Sequence, residues 1–244
     1  MKKNIEWFAE WFDSRYYHVL YQHRDEQEAG LFINQLMNVL KLHKGSKVLD
    51  IACGKGRHAL MFNALGFDTY GADLSENSIL EAKKQQKENL SFFVQDMRDE
   101  IPINNFDLVC NLFTSFGYFE QQKENELVLK NIYSSLKKSG YLVIDFLNSV
   151  KVCKNLPQKE TKTCNGIEFK IEKFFDSNHI YKNIFFTDNG KEYSFQEKVQ
   201  NLSFSDFEKL LFLQQFKIEH IFGSYQLQTF NSNQSDRLII IAKK

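Results

Sequence analysis

Val48-Leu49-Asp50-Ile51-Ala52-Cys53-Gly54-Lys55-Gly56-Arg57-His58 decides how this 244-residue chain is read. Lys47 to Ile51 is a short apolar strand, Gly54 and Gly56 allow a tight bend, and Arg57 to Leu65 reads as a helix stopped by Gly66. Glycines in such a bend let a ligand approach the backbone, and the helix beyond it opens with unpaired N–H groups. A strand, a glycine bend and a helix form the opening unit of a nucleotide-binding α/β sheet.

The same alternation continues outward from that unit. Asp68 to Asp73 reads as a strand, with Ser75 as the N-cap of a helix through Lys87. Leu90 to Gln95, Phe106 to Asn111 and Tyr141 to Leu147 read as further strands, and Lys123 to Lys138 as a helix closed by Gly140. Strands alternating with helices predict right-handed crossovers and a mostly parallel sheet. Residues 5–42 read as helical, with an aromatic face at Trp7, Phe8, Trp11 and Phe12. The second helix of that region runs from Glu26 to Leu42, with Leu31, Phe32, Leu36, Val39 and Leu40 at helical spacing. From 166 to 200 the period changes to two, and Asp188-Asn189-Gly190 is a hairpin turn, so about three antiparallel strands are expected there. A helix over Ser203–Phe216 and strands over Lys217–Phe222 and Arg237–Ala242 close the chain. The expected organisation is a core made of 1–150 and 201–244, with 1–44 as a helical cap, and an inserted antiparallel β subdomain at 151–200.

Composition narrows the function. Lys plus Arg equals Asp plus Glu at 31 each, which argues against nucleic acid or an anionic membrane as a partner. The N-terminal residues hold no apolar run of a secretory signal, and no stretch is long enough to span a bilayer, so a cytoplasmic enzyme is expected. The four cysteines (Cys53, Cys110, Cys153, Cys164) form no CxxC pair, and no metal site is expected.

Gly54-x-Gly56-x-x-Ala59 alone also fits a dinucleotide loop. Three details favour S-adenosylmethionine over NAD. A carboxylate at Asp50 repels a pyrophosphate but pairs with an ammonium. A long helical segment precedes the first strand. Asp73 at the end of the second strand suits ribose hydroxyls, and Asp96-Met97 after the third suits an adenine, the carboxylate accepting from its amino group.

Val48–Leu60 resembles motif I of class I S-adenosylmethionine-dependent methyltransferases, with Ala52 where a further glycine is common. Ala72-Asp73-Leu74-Ser75 resembles their acidic segment, Gln95–Asp99 their adenine motif, and Phe106–Asn111 their motif IV. Lys138–Asp145 is similar to the approach to their fifth strand. Asn111–Phe119 is similar to a branch that includes bacterial sugar N-methyltransferases. The resemblance spans roughly residues 40–150. It implies an α/β Rossmann-like sheet of seven strands, order 3-2-1-4-5-7-6 with the last antiparallel, and a β insertion after strand five. It implies cofactor contacts at Tyr17, Arg24, Asp50, Ala52, Gly54, Gly56, Asp73, Leu74, Asp96, Met97, Asn111 and Phe113.

Methyl transfer is an in-line displacement that needs alignment more than a catalytic triad. A general base matters only if the nucleophile arrives protonated. Tyr17, Asn111 and Tyr118 are the candidates beside the reacting centre. The expected acceptor is a small molecule, methylated on N or O. The aromatic insertion (Phe169, Phe174, Phe175, Tyr181, Phe185, Phe186, Tyr193 and Phe195) is the expected source of specificity, and a mini-core of its own or a homodimer contact is the alternative use of these residues. An RNA or protein methyltransferase, or a non-catalytic cofactor-binding protein, are the competing readings.

Overall fold

The computed structural model describes residues 6–22 and 26–244. Three helices come first: α1 (Trp7–Asp13), α2 (Arg15–Leu20) and α3 (Glu26–Leu40). Then β1 (Lys47–Ile51), α4 (Arg57–Ala64), β2 (Asp68–Asp73), α5 (Glu76–Ala82), β3 (Leu90–Val94) and β4 (Phe106–Asn111) follow in alternation. After α6 (Gln122–Ser135) come β5 (Leu136–Leu147) and a short α7 (Ser149–Lys154). The remaining elements are β6 (Gln158–Cys164), β7 (Ile167–Phe175), β8 (His179–Asp188), β9 (Lys191–Gln200), α8 (Phe204–Leu213), β10 (Lys217–Phe222) and β11 (Arg237–Lys243).

The main sheet has the order β10-β11-β5-β4-β1-β2-β3, with β11 antiparallel to both its neighbours. This is the seven-stranded order that the resemblance implied. Adjacent residues of β1 feed opposite layers, because side chains alternate across a strand. Leu49 and Ile51 join Ile132, Phe146 and Phe207 beneath α6 and α8. Val48 joins Phe32, Leu36, Phe62, Val143 and Ile239 beneath α3 and α4. Burying each such side chain favours folding by roughly 1.5–3 kcal/mol. On α3 the buried face is Phe32, Ile33, Leu36 and Leu40, whereas Leu31 is exposed.

Two boundaries differ from the sequence expectation for a common reason. The helix expected to run to Lys138 stops at Ser135, and β5 starts at Leu136, which is buried and pairs with Phe106. Gly140 does not cap that helix. A Cβ there would stand 2.9 Å from the Phe106 carbonyl oxygen, so glycine permits close strand contact. The second sheet has four strands, β6-β7-β8-β9, all antiparallel. The expected three are β7 to β9. β6, written Gln158-Lys159-Glu160-Thr161-Lys162-Thr163-Cys164, lacks the apolar alternation that marks a strand. The turn at Asn189-Gly190 has φ of 50° and 75°, as a two-residue hairpin requires.

The helical cap and the small sheet form one layer. Trp11, Tyr16 and Leu20 pack against Phe169, Ile171, Ile184 and Phe186. Polar clasps tie α1 back to the main sheet. Ser75 Oγ and Asn77 Nδ2 donate to Asp13, at 2.5 and 2.6 Å. Arg98 donates to Glu6, Asp96 and Glu124. No described helix is long and apolar enough to cross a membrane.

Candidate functional site

A cavity of about 880 Å³ lies between the carboxyl ends of the central strands and the layer made by α1, α2 and β7–β9. That is near the upper end of the roughly 300–1,000 Å³ usual for ligand pockets, and it sits where open α/β sheets bind ligands.

The glycine bend forms its floor. Gly54 has φ of 56°, and nothing lies within 4 Å of where its Cβ would be, so this side of the bend is open. Gly54 N–H donates to Asp73 Oδ2 at 2.7 Å, and Ser75 N–H donates to Oδ1 at 2.9 Å. Burial pushes the Asp73 carboxyl up, and these backbone donors oppose that. Backbone N–H groups of Gly54, Leu74 and Ser75 hold the carboxylate, which offers about four lone-pair sites, so it can still accept a hydroxyl. Leu74 and Met97 also line the cavity, two apolar jaws next to Asp73 and Asp96.

The structure brings Tyr17, Ala52, Gly54, Asp73, Leu74, Asp96, Met97, Phe113 and Tyr118 to the cavity wall. It does not bring Asp50, Gly56 or Asn111 there. Asp50 is buried beneath the bend, where it accepts from the Ala59 N–H, and its Oδ2 has no hydrogen-bond partner among the described residues. Burial, then the Asp73 charge, push its carboxyl up to about 8, against the pull of Arg57. It supports the bend from below. Gly56 has φ of 84°, and a Cβ would meet the Phe92 ring at 2.6 Å, so that glycine serves loop packing. Asn111 turns away from the cavity and donates to the Ile51 carbonyl at 3.3 Å, tying β4 to β1. Arg24, expected at the cofactor, lies outside the described residues. Asp96 reaches the wall with its oxygens engaged by Arg98, through the backbone N–H at 2.9 Å and Nη2 at 2.7 Å. Burial pushes this carboxyl up, but the Arg98 bonds outweigh it and hold it below its ordinary range.

Several residues on the wall, and one directly behind it, were missed from sequence. Asp145 on β5 is buried and accepts from the Phe113 N–H at 2.9 Å, Tyr225 Oη at 3.1 Å and Arg237 Nε at 2.7 Å. Phe113 and Thr114 both have positive φ, 60° and 63°. A cluster of non-glycine residues in that region is strained backbone of the kind found at sites. Phe113 stacks on Tyr225 at 5.3 Å. The legible signal was a lone Asp inside Tyr141–Leu147 and a lone Arg opening Leu238–Ile241, opposite charges set into apolar strands.

The roof carries Lys173, Lys182 and Glu197 from β7, β8 and β9. Glu197 Oε1 accepts from Trp11 Nε1 at 2.8 Å and Tyr21 Oη at 2.6 Å, and Lys182 Nζ donates to Tyr21 Oη. His18 also faces the cavity. Burial, then Lys55, lower its pKa to about 4, so the imidazole is neutral at pH 7 and keeps an acceptor lone pair. Among the described residues no cluster suits a metal ion.

A methyltransferase-domain family model matches residues 42–222, from the end of α3 through β10. The chain belongs to this methyltransferase family. It is similar to YqeM of Bacillus subtilis, whose name describes a candidate methyltransferase, at 27% identity over 213 residues, 83% of this chain and 86% of that one. It is also similar to the dTDP-3-amino-3,4,6-trideoxy-alpha-D-glucopyranose N,N-dimethyltransferase of Streptomyces venezuelae. That match is 30% identical over 102 residues and covers 42% of this chain and 43% of the relative. Among solved structures, an S-adenosylmethionine-dependent methyltransferase of Clostridium acetobutylicum has the same fold, with a TM-score of 0.79 over 93% of this chain and 95% of the other at 20% identity. The protein is an S-adenosylmethionine-dependent methyltransferase, and the open face of Gly54, the spare lone pairs of Asp73 and the Leu74–Met97 jaws fit that cofactor.

Proposed function

We propose that this methyltransferase acts on a nitrogen or oxygen of a small molecule. The carrying observation is the roof: α1, α2 and β7–β9 cover the cavity above the carboxyl ends of the strands, which leaves a chamber suited to a compact acceptor. The similarity to a sugar N,N-dimethyltransferase supports an amine-bearing acceptor.

Bound S-adenosylmethionine supplies a methyl group already activated by its sulfonium sulfur. The protein's share is placement. Asp73 takes the ribose hydroxyls with its remaining lone pairs. Gly54 and Ala52 let the methionine end lie close on the bend. Leu74 and Met97 hold the adenine, and Asp96, fixed by Arg98, marks its edge. Phe113, Tyr118 and Tyr17 wall the reacting centre and exclude water from it. Alignment of this kind can supply on the order of 7–11 kcal/mol of the barrier. Where the nucleophile arrives protonated, neutral His18 and the Glu197 carboxylate are the groups on the wall that can take its proton.

The test follows radiolabelled methyl from S-adenosylmethionine into a cell extract. Label is expected in the dialysable fraction. Label confined to RNA or protein sinks the small-molecule reading.

A further inference from the structure

Arg237 opens β11 and forms part of the cavity wall. Four contacts hold its guanidinium, one of them Nη2 at 2.7 Å from Asp145 Oδ1. Nε donates to Asp145 Oδ1 at 2.7 Å, Nη2 donates to Thr114 Oγ1 at 2.9 Å, and the Tyr225 ring lies 5.6 Å from its centre. Asp145 is itself fixed by the Phe113 N–H and Tyr225 Oη. The third nitrogen, Nη1, has no hydrogen bond to any described residue, and the side chain is 19% exposed. A locked guanidinium with one uncommitted edge on a cavity wall is a preorganised anion donor.

Its position assigns it to the acceptor. Arg237 lies opposite Leu147 of β5, whereas Asp73 ends β2. Four strand spacings separate β11 from β2, roughly 19 Å at about 4.8 Å each. The ribose and adenine contacts therefore sit at the far end of the cavity. Between them lies the strained Phe113–Thr114 turn. Arg57 stands over the Phe113 ring at 4.4 Å, so guanidinium groups flank both members of the stacked Phe113–Tyr225 pair.

Resting on the small-molecule reading above, we propose that the methyl acceptor carries an oxyanion, a carboxylate or a phosphate, that docks on Arg237 Nη1. Asp145 and Thr114 hold the fork rigid, so the anion sets the register of the acceptor and turns its nucleophile toward the Phe113–Tyr118 wall. The N–H groups of Nη1 donate to the anion, and each such bond is charge-assisted on both sides.

The test uses the full chain saturated with S-adenosylhomocysteine and reads the melting temperature. Phosphate and acetate are added separately, against chloride at equal ionic strength. Either oxyanion at ten times its dissociation constant is expected to raise the midpoint by about 3–6 °C. R237Q is expected to abolish the rise and R237K to keep part of it. Because R237Q strands Asp145, D145N/R237Q removes both charges and gives a second, balanced loss of the anion effect. A rise with only one oxyanion supports the anchor and fixes which it takes. No rise with either oxyanion in the wild type, or equal rises in wild type and variants, overturns the proposal. So does loss of the S-adenosylhomocysteine rise in R237Q and D145N/R237Q alone, which would put Arg237 at the cofactor. Loss of that rise in the wild type itself would instead strike the cofactor reading.

Discussion

Replacing Asp50 by Asn removes a buried charge while keeping the side chain's shape. Burial and the neighbouring Asp73 hold its carboxyl at about 8 in the folded protein, against an ordinary value of 3.8. The folded state therefore keeps a proton that the unfolded chain has released across that whole interval. Stability from Asp50 is full below about pH 4, falls as pH rises, and is gone once pH passes about 8. The slope is about 1.4 kcal/mol per pH unit, so the loss between about pH 5 and about pH 7 is on the order of 3 kcal/mol. D50N has no proton to lose. In urea unfolding of the cofactor-free protein, the wild-type free energy should fall with pH relative to D50N by that amount, with equal denaturant slopes. The difference should level off above about pH 8. Parallel wild-type and D50N curves would refute the placement of this carboxyl in a dry pocket under the bend.

The remaining expectations concern the bend and the roof. G56A places a methyl 2.6 Å from the Phe92 ring at φ of 84° and should cost at least 1–3 kcal/mol, read as a melting-point loss of several degrees. G54A meets nothing within 4 Å and should lower stability less while weakening the cofactor more; an unchanged S-adenosylhomocysteine affinity would remove Gly54 from the site. D73N keeps the shape but weakens acceptance of the ribose hydroxyls, so calorimetry should show cofactor affinity down by about tenfold or more, the worth of a charge-assisted bond. E197Q alters the acceptor of Trp11 and Tyr21 in the roof; turnover should fall while cofactor affinity stays, and equal losses in both would place Glu197 outside the acceptor half.

What could be read from sequence followed local rules. The strand–bend–helix unit at 47–65, the Ser75 cap and the hairpin at 188–191 depend on residues close in the chain, and each appears where its residue types require it. Asp50, Gly56 and Asn111 show the limit of a motif. They accompany the site in sequence, but strand alternation turns Asn111 toward Ile51, and the Phe92 ring claims the space beside Gly56. A motif records which residues build a bend, and only packing decides which of them face the ligand. The acceptor half was hidden for a different reason. Its wall joins Thr114, Tyr225 and Arg237, with Asp145 bonded behind them, and its roof joins Trp11 and Tyr21 to Glu197 across more than 170 residues. No spacing rule links such positions, because loop-closing distance leaves no period in the sequence. The trace that does survive is chemical. A charged side chain in the middle of an apolar strand must find a partner or leave the core. Asp145 and Arg237 sit on adjacent strands, β5 and β11, and found each other. The same argument extends to Asp50, whose Oδ2 has no partner among the described residues and whose carboxyl, pushed up to about 8 by burial, is neutral at pH 7, so the bend above it is built on a group that avoids its charge instead of pairing it.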